Sequence, residues 1–155
     1  MKRHQGGITT VEFAIIGLVV IVVLFGVLEM GRMLFVMNTL TEGTRRGARV
    51  AAVCPINDPS IARATVFSED GSNSAIIRGL TTANVTVEYL DMVGNVIGDP
   101  TGNFDRIRYV RTRIVNFTHE LIVPFIMRTM LIQGFRTTLP RESLGIPREG
   151  AVQPC

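Results

Sequence analysis

Between Phe13 and Leu28 the chain reads FAIIGLVVIVVLFGVL, an unbroken stretch without a charge or a strongly polar side chain. As an α-helix that stretch spans about 24 Å at 1.5 Å per residue. The hydrocarbon core of a bilayer is about 30 Å thick, so the run alone falls slightly short of crossing it. The same helical register continues through Glu29, Arg32, Met33, Leu34, Phe35 and Leu40. One long helix is therefore predicted, inserted in a membrane by its first half and emerging from it by its second. A core helix of a soluble domain would carry a polar face within such a stretch.

The rest of the 155 residues supply one modest domain at most. A hydrophobic share of 46% against 19% charged excludes a disordered tail, and two cysteines exclude a disulfide-dense mini-protein. The formal net charge of +3 hints at nucleic acid until it is mapped. Beyond Cys54 the arginines and the acids balance, and the surplus sits at Lys2, Arg3, Arg32, Arg45, Arg46 and Arg49, around the apolar run. A general grip on phosphates is not supported, and no nucleic-acid partner is expected.

A short basic leader before an apolar stretch is the ordinary form of a cleaved secretory signal. Two features argue against it here. No small-x-small cleavage site closes the run, where Val27, Leu28, Glu29 and Met30 stand. Glu12 also lies at the edge of the apolar segment, where an export signal gains nothing from a carboxylate. A charge carried into the membrane costs about 2.5–3.5 kcal/mol on insertion scales, which makes Glu12 a functional candidate by default. Its alternative is a carboxylate that simply stays among the headgroups.

Read together, Gly6-Gly7-Ile8-Thr9-Thr10-Val11-Glu12-Phe13 ends a basic leader in Gly, follows it with an apolar residue, and places Glu as the fifth residue beyond that Gly. This resembles the prepilin peptidase site of type IV pilins. Downstream, Val11-Glu12-Phe13-Ala14, Leu28-Glu29-Met30-Gly31-Arg32 and Gly47-Ala48-Arg49-Val50-Ala51-Ala52 are similar to the N-terminal signature of TadE-like pseudopilins, minor components of the tight-adherence (Tad) pilus system. The likeness covers about the first third of the chain. It departs from the family pattern at Gly17, where members often carry Pro, and at Glu42-Gly43-Thr44-Arg45-Arg46, where an Ala-rich approach is usual.

The resemblance implies a leader at 1–7, a hydrophobic anchor and assembly helix at 8–53, and a periplasmic head at 54–155. It implies cleavage between Gly7 and Ile8 by a membrane-embedded prepilin peptidase, and no enzymatic activity, cofactor or metal of its own. The implied partners are that peptidase, other pilin and pseudopilin subunits, the inner-membrane assembly platform and the lipid bilayer, with roles in pilus assembly, adhesion and biofilm formation. Cleavage would remove Lys2 and Arg3, which otherwise hold the helix to the cytoplasmic headgroups. In a staggered bundle the new Ile8 ammonium of one subunit could meet the Glu12 carboxylate of its neighbour, so two charges costly in hydrocarbon are neutralised only in the assembled register. The rival is a permanently anchored periplasmic binding module with no filament role.

Counting basic residues leaves the orientation ambiguous. The peptidase junction places the N-terminus in the cytoplasm. Cys54 and Cys155 fit that orientation, since in an oxidising periplasm they can form a disulfide, the alternative being two free thiols.

Past the membrane the helix is expected to run to about Val53 and stop before Pro55. Gly43, Gly47 and Ala51 recur every four residues as a smooth stripe, read as packing of the head against its own helix, with subunit contact as the alternative. Glu29 is expected to pair with Arg32 three residues on, a contact worth roughly a few tenths of a kcal/mol, with a registration role like that of Glu12 as the alternative. The fold class expected is α+β: a long N-terminal transmembrane helix and a small antiparallel-sheet head.

Within the head, Ser60 is a candidate cap for a helix through Phe67, and Ser74 for another through Leu80. Val85, Val87 and Tyr89, the turn at Gly94-Asn95 and the return at Val96-Ile97 read as a hairpin. A strand from Arg106 to Phe117 changes parity and calls for a bulge near Val110. Pro124 breaks an apolar segment, and Leu131 to Leu139 read as a last strand.

Catalytic and metal constellations are mostly rejected. His4 lies in the leader, and a lone His119 beside Glu120 reads as a surface loop residue. Asp99, Asn103 and Asp105 lack the spacing of a calcium loop and read as a turn. Arg106, Arg108, Arg111 and Arg113 read as a solvated strand face, with a partner surface as the alternative. Asn84-Val85-Thr86 and Asn116-Phe117-Thr118 match a glycosylation pattern common by chance.

Overall fold

The computed structural model describes residues 6–69, 71–122, 129–146 and 155. Helix α1 runs from Gly6 to Val53 without interruption, 48 residues and about 72 Å long. No proline interrupts it, and Pro55 ends it. The last carbonyls of a helix need outside donors. Here the chain after the final strand supplies them. The amides of Glu142 and Leu144 donate to the Ala52 carbonyl, while the amide of Gly145 and the Ser143 hydroxyl donate to that of Val53. Gly145 makes this return possible, with φ of 79° and a backbone so close to the Pro55 ring that a Cβ would collide with it.

Helix α2, Pro59–Thr65, is capped by Asp58, whose carboxylate accepts the Ser60 amide at 2.8 Å. Ser60 is therefore inside the first turn and Asp58 does its expected work, because Pro59 suits the first helical position and the cap must precede it. The segment from Ser74 to Leu80 is a turn, not a helix. The Ser74 hydroxyl accepts the Ile76 and Ile77 amides, and Gly79 closes the turn with φ of 81°.

Three strands, β1 (Val85–Leu90), β2 (Tyr109–Ile114) and β5 (Arg136–Pro140), form an antiparallel sheet in the order β1-β2-β5. Two more, β3 (Phe117–Glu120) and β4 (Thr129–Ile132), form a separate antiparallel pair. The long helix with small antiparallel sheets makes the fold α+β.

The expected bulge is absent. β2 pairs residue for residue from Tyr109 to Ile114 with β1, and Val110, Thr112 and Ile114 point inward on one parity. Ile107 is buried from outside the strand, after a 3-10 turn at Phe104–Arg106, so it never shared the strand's parity. The return at Val96-Ile97 is only a single bridge from Val96 to Leu90, since β1 takes β2 as its full partner. Phe117 belongs to β3, because Asn116 turns the chain at φ of 54°. The expected last strand is split by Gly134 into β4 and β5. Pro124 lies outside the described residues.

The core lies between the second half of α1 and the head. One cluster gathers Val36 and Leu40 with Val66, Leu80, Ile114 and Phe117. The second, nearer the helix end, gathers Ala51 and Cys54 with Ile61, Tyr89, Val110 and Leu144. Each cluster uses α1 as one wall, so the head is built around the helix.

Candidate assembly helix and its clasp on the head

The first half of α1 has no cover among the described residues. From Val11 to Leu28 its apolar side chains are open, Phe13 at 79% exposure, and the helix is long and apolar enough to cross a membrane. Burying such a surface is the dominant favourable term available to it, whether lipid or other helices supply the cover. Gly7 and Ile8 fall in the first turn of α1. Glu12 is exposed one turn further on, with no ion-pair partner among the described residues. Seventeen positions separate Glu12 from Glu29, about 25 Å along the axis, so two carboxylates bracket the apolar run.

Glu29 does more than pair with Arg32. Its Oε1 lies 2.7 Å from the Arg32 guanidinium and 3.1 Å from His119 Nε2, and its Oε2 accepts the Ile122 amide at 3.4 Å. The Arg32 guanidinium also donates to the Glu120 carbonyl. His119 is 3% exposed, inside the β3 face, which corrects its placement on a surface loop. Phe117 and His119 point the same way along the strand, so the face that buries the phenylalanine also turns the imidazole onto α1. The clasp fixes the end of β3 at the level where the apolar run stops.

Further along α1 the small residues sit under the head. A Cβ on Gly43 would run into the Thr65 carbonyl of α2, and one on Gly47 into the Thr65 hydroxyl and the Thr112 methyl. Ala51 is fully buried. The neighbouring threonines share what hydrogen bonds the contact allows: Thr65 donates to the Ile61 carbonyl, and Thr44 meets Thr137 at 2.9 Å. Thr112 alone of these keeps a buried hydroxyl oxygen without a partner. The opposite face carries Arg45, Arg46 and Arg49 in the open, with Arg46 over the Phe67 ring at 5.6 Å.

At the far end Cys54 and Cys155 are joined, with Cα atoms 5.7 Å apart and a sequence separation of 101. Closing a loop of about 100 residues removes roughly 4.7 kcal/mol of chain entropy from the unfolded state on the simplest account. The bond ties Cys155 beside the helix end that residues 142–145 already cap.

Residues 7–49 match the family model for TadE-like proteins. The matched segment runs from the Gly7 junction through Glu12, the apolar run, Glu29 and the glycine stripe, and supports a pilus-related protein of the Tad system. No curated protein and no solved structure matches the chain. The head is thus outside the TadE-like segment, while its packing surface, Gly43, Gly47 and Val36, lies inside it.

The remaining candidates resolve into structure. Among the described residues no cluster of His, Cys, Asp or Glu is arranged to hold a metal. Asp99 accepts the Gly102 amide in a turn. Arg111 and Arg113 reach across to Glu88 on β1 at 3.3 and 2.8 Å, so half of the arginine cluster is spent within the sheet. Asn84 donates to the Val115 and Asn116 carbonyls, pinning the turn between β2 and β3.

Proposed function

We propose that this chain is a minor pilin, or pseudopilin, of a Tad-type pilus. It is inserted with its N-terminus in the cytoplasm and its head in the periplasm, clipped between Gly7 and Ile8 by prepilin peptidase, and drawn into a filament through α1. It acts as a structural component and not as an enzyme, in pilus assembly and through it in surface adhesion and biofilm formation. Its partners in that role are the peptidase, sister pilins and the inner-membrane assembly platform.

The observation that carries this reading is the TadE-like match spanning Gly7, Ile8 and Glu12 on a helix whose apolar half the head leaves open. A helix that only anchored a binding module would need no carboxylate at Glu12, and in a bundle the Ile8 ammonium of a neighbour supplies the missing countercharge. The mass of the mature N-terminus after co-expression with the peptidase tests the proposal. A start at Ile8 supports the pilin, an intact Met1 or Lys2 the anchored module, and a start beyond Leu28 a secreted protein.

A further inference from the structure

Strand β3 runs down α1 toward the apolar run. Phe117 at its start shares a core with Val36 and Leu40, whereas His119 and the Ile122 amide at its end meet Glu29. From Val36 to Glu29 the helix falls about 10 Å. Glu29 directly follows Leu28, the last residue of the uncharged stretch. The end of the β3–β4 pair is therefore held where a bilayer crossed by α1 has its outer surface.

That end carries open apolar side chains beside its last strand pair, the exposed Glu120 and Thr129. Ile122 is 64% exposed, and on β4 Met130, opposite His119, and Leu131, opposite Thr118, are open as well. Open apolar side chains also occur at the far pole, Met92 and Val93, so what distinguishes this group is its height on α1, level with the end of the apolar run.

We propose that Ile122, Met130 and Leu131 form a second membrane contact, a lipid-facing foot that rests in the outer leaflet beside α1. Apolar side chains at the boundary of headgroups and acyl chains bind there by burial of their surface, without spanning the bilayer. The clasp on Glu29 sets the height of the foot, and the foot sets the head's tilt and rotation about α1, which a single helix leaves free. A subunit leaving the membrane for a filament would have to withdraw both contacts. The proposal rests on the reading of α1 as a membrane-spanning helix.

The chain contains no tryptophan, so a single introduced indole is an unambiguous probe. Three variants of the full chain, Ile122→Trp, Val20→Trp within the apolar run and Val93→Trp, 84% exposed on the turn at the opposite pole of the head, would be reconstituted in phosphatidylcholine vesicles with and without brominated acyl chains. The expected result is a blue-shifted emission for Ile122→Trp that loses intensity with brominated lipid as Val20→Trp does, and a red, unquenched emission for Val93→Trp. Quenching of Val20→Trp but a water-like, unquenched Ile122→Trp overturns the foot while leaving the spanning helix intact. A blue-shifted Ile122→Trp that ignores brominated lipid and reddens on dilution of protein in lipid overturns it in favour of a second copy of the chain. No quenching of Val20→Trp fails the spanning helix, and the foot with it.

Discussion

Glu29 Oε1 stands 3.1 Å from His119 Nε2, a contact between residues 90 positions apart that locks β3 to the helix where its apolar run ends. A second acid on α1, Glu42, has the same three-residue spacing to an arginine, Arg45, but at 4.0 Å and in the open. The two test what context does to one sequence pattern. Glu29→Ala strips the partner from the buried His119 imidazole, which costs about 1–3 kcal/mol when a buried group is left unsatisfied; the Ile122 amide is exposed and can turn to water. Glu42→Ala should stay within about 0.5 kcal/mol of the parent, as surface substitutions do. Urea unfolding of the full chain in detergent micelles, followed by circular dichroism, checks both.

The glycine stripe makes a graded prediction. Gly43→Ala pushes a methyl into the Thr65 carbonyl, a backbone atom, so α2 has to move. Gly47→Ala meets the Thr65 hydroxyl, which can swing away only by giving up its 2.7 Å bond to the Ile61 carbonyl. Overpacking of this kind costs about 1–3 kcal/mol, with Gly43→Ala the larger loss. Gly31→Ala meets nothing within 4 Å. There the helix propensity of Ala over Gly, up to about 1 kcal/mol, should show as a gain. The same unfolding measurement ranks the three, and an equal response at all positions would refute the close-packing account.

The helix and the stripe were legible in the sequence because their signals are local: an uninterrupted apolar run, a Pro stop, small residues at a spacing of four. The α+β class followed from the alternation at Val85, Val87 and Tyr89. What sequence reasoning misplaced depends on distant partners. His119 looks like an isolated polar residue until β3 is laid along α1, although its shared parity with Phe117 was a readable sign of an inward face. The parity change that calls for a bulge near Val110 disappears once Ile107 is seen to precede the strand instead of lying in it. The cap at Asp58 was available from Pro59 alone. The Gly- and Pro-rich chain after β5 gave no local hint that it caps the carbonyls of Ala52 and Val53, since those donors are backbone amides.

Tyr89 gives the head an alkaline limit. Its ring is buried, and burial, the largest influence, raises the phenol's pKa above the usual 10.0; the nearby Asp58 charge acts in the same direction, while the Asn57 amide, which donates to the phenol oxygen at 2.9 Å, opposes it. A raised acid holds its proton longer in the folded chain than in the unfolded one, so its contribution is complete below pH 10 and is lost as pH rises through the folded value. Stability of the parent should fall from about pH 10 upward by this route, and Tyr89→Phe should flatten that fall at the expense of about 1 kcal/mol at neutral pH for the unmatched Asn57 amide. The chain has two tyrosines, so the difference between ultraviolet titrations of parent and Tyr89→Phe isolates the buried phenol.

Glu12 separates insertion from assembly. Its carboxylate stands in the open at the N-terminal edge of the apolar run, so Glu12→Val makes the helix more apolar and should leave insertion and the cut after Gly7 unchanged. On the proposed function, the same change would leave an Ile8 ammonium of the neighbouring subunit in hydrocarbon with no countercharge, and breaking a buried pair from one side costs about 3–5 kcal/mol. At 1.4 kcal/mol per tenfold, incorporation into pili should drop by on the order of a hundredfold or more. Quantitative immunoblots of sheared pili against membrane fractions measure that ratio. Undiminished incorporation of a correctly cleaved Glu12→Val protein would mean that subunit register is set elsewhere on α1.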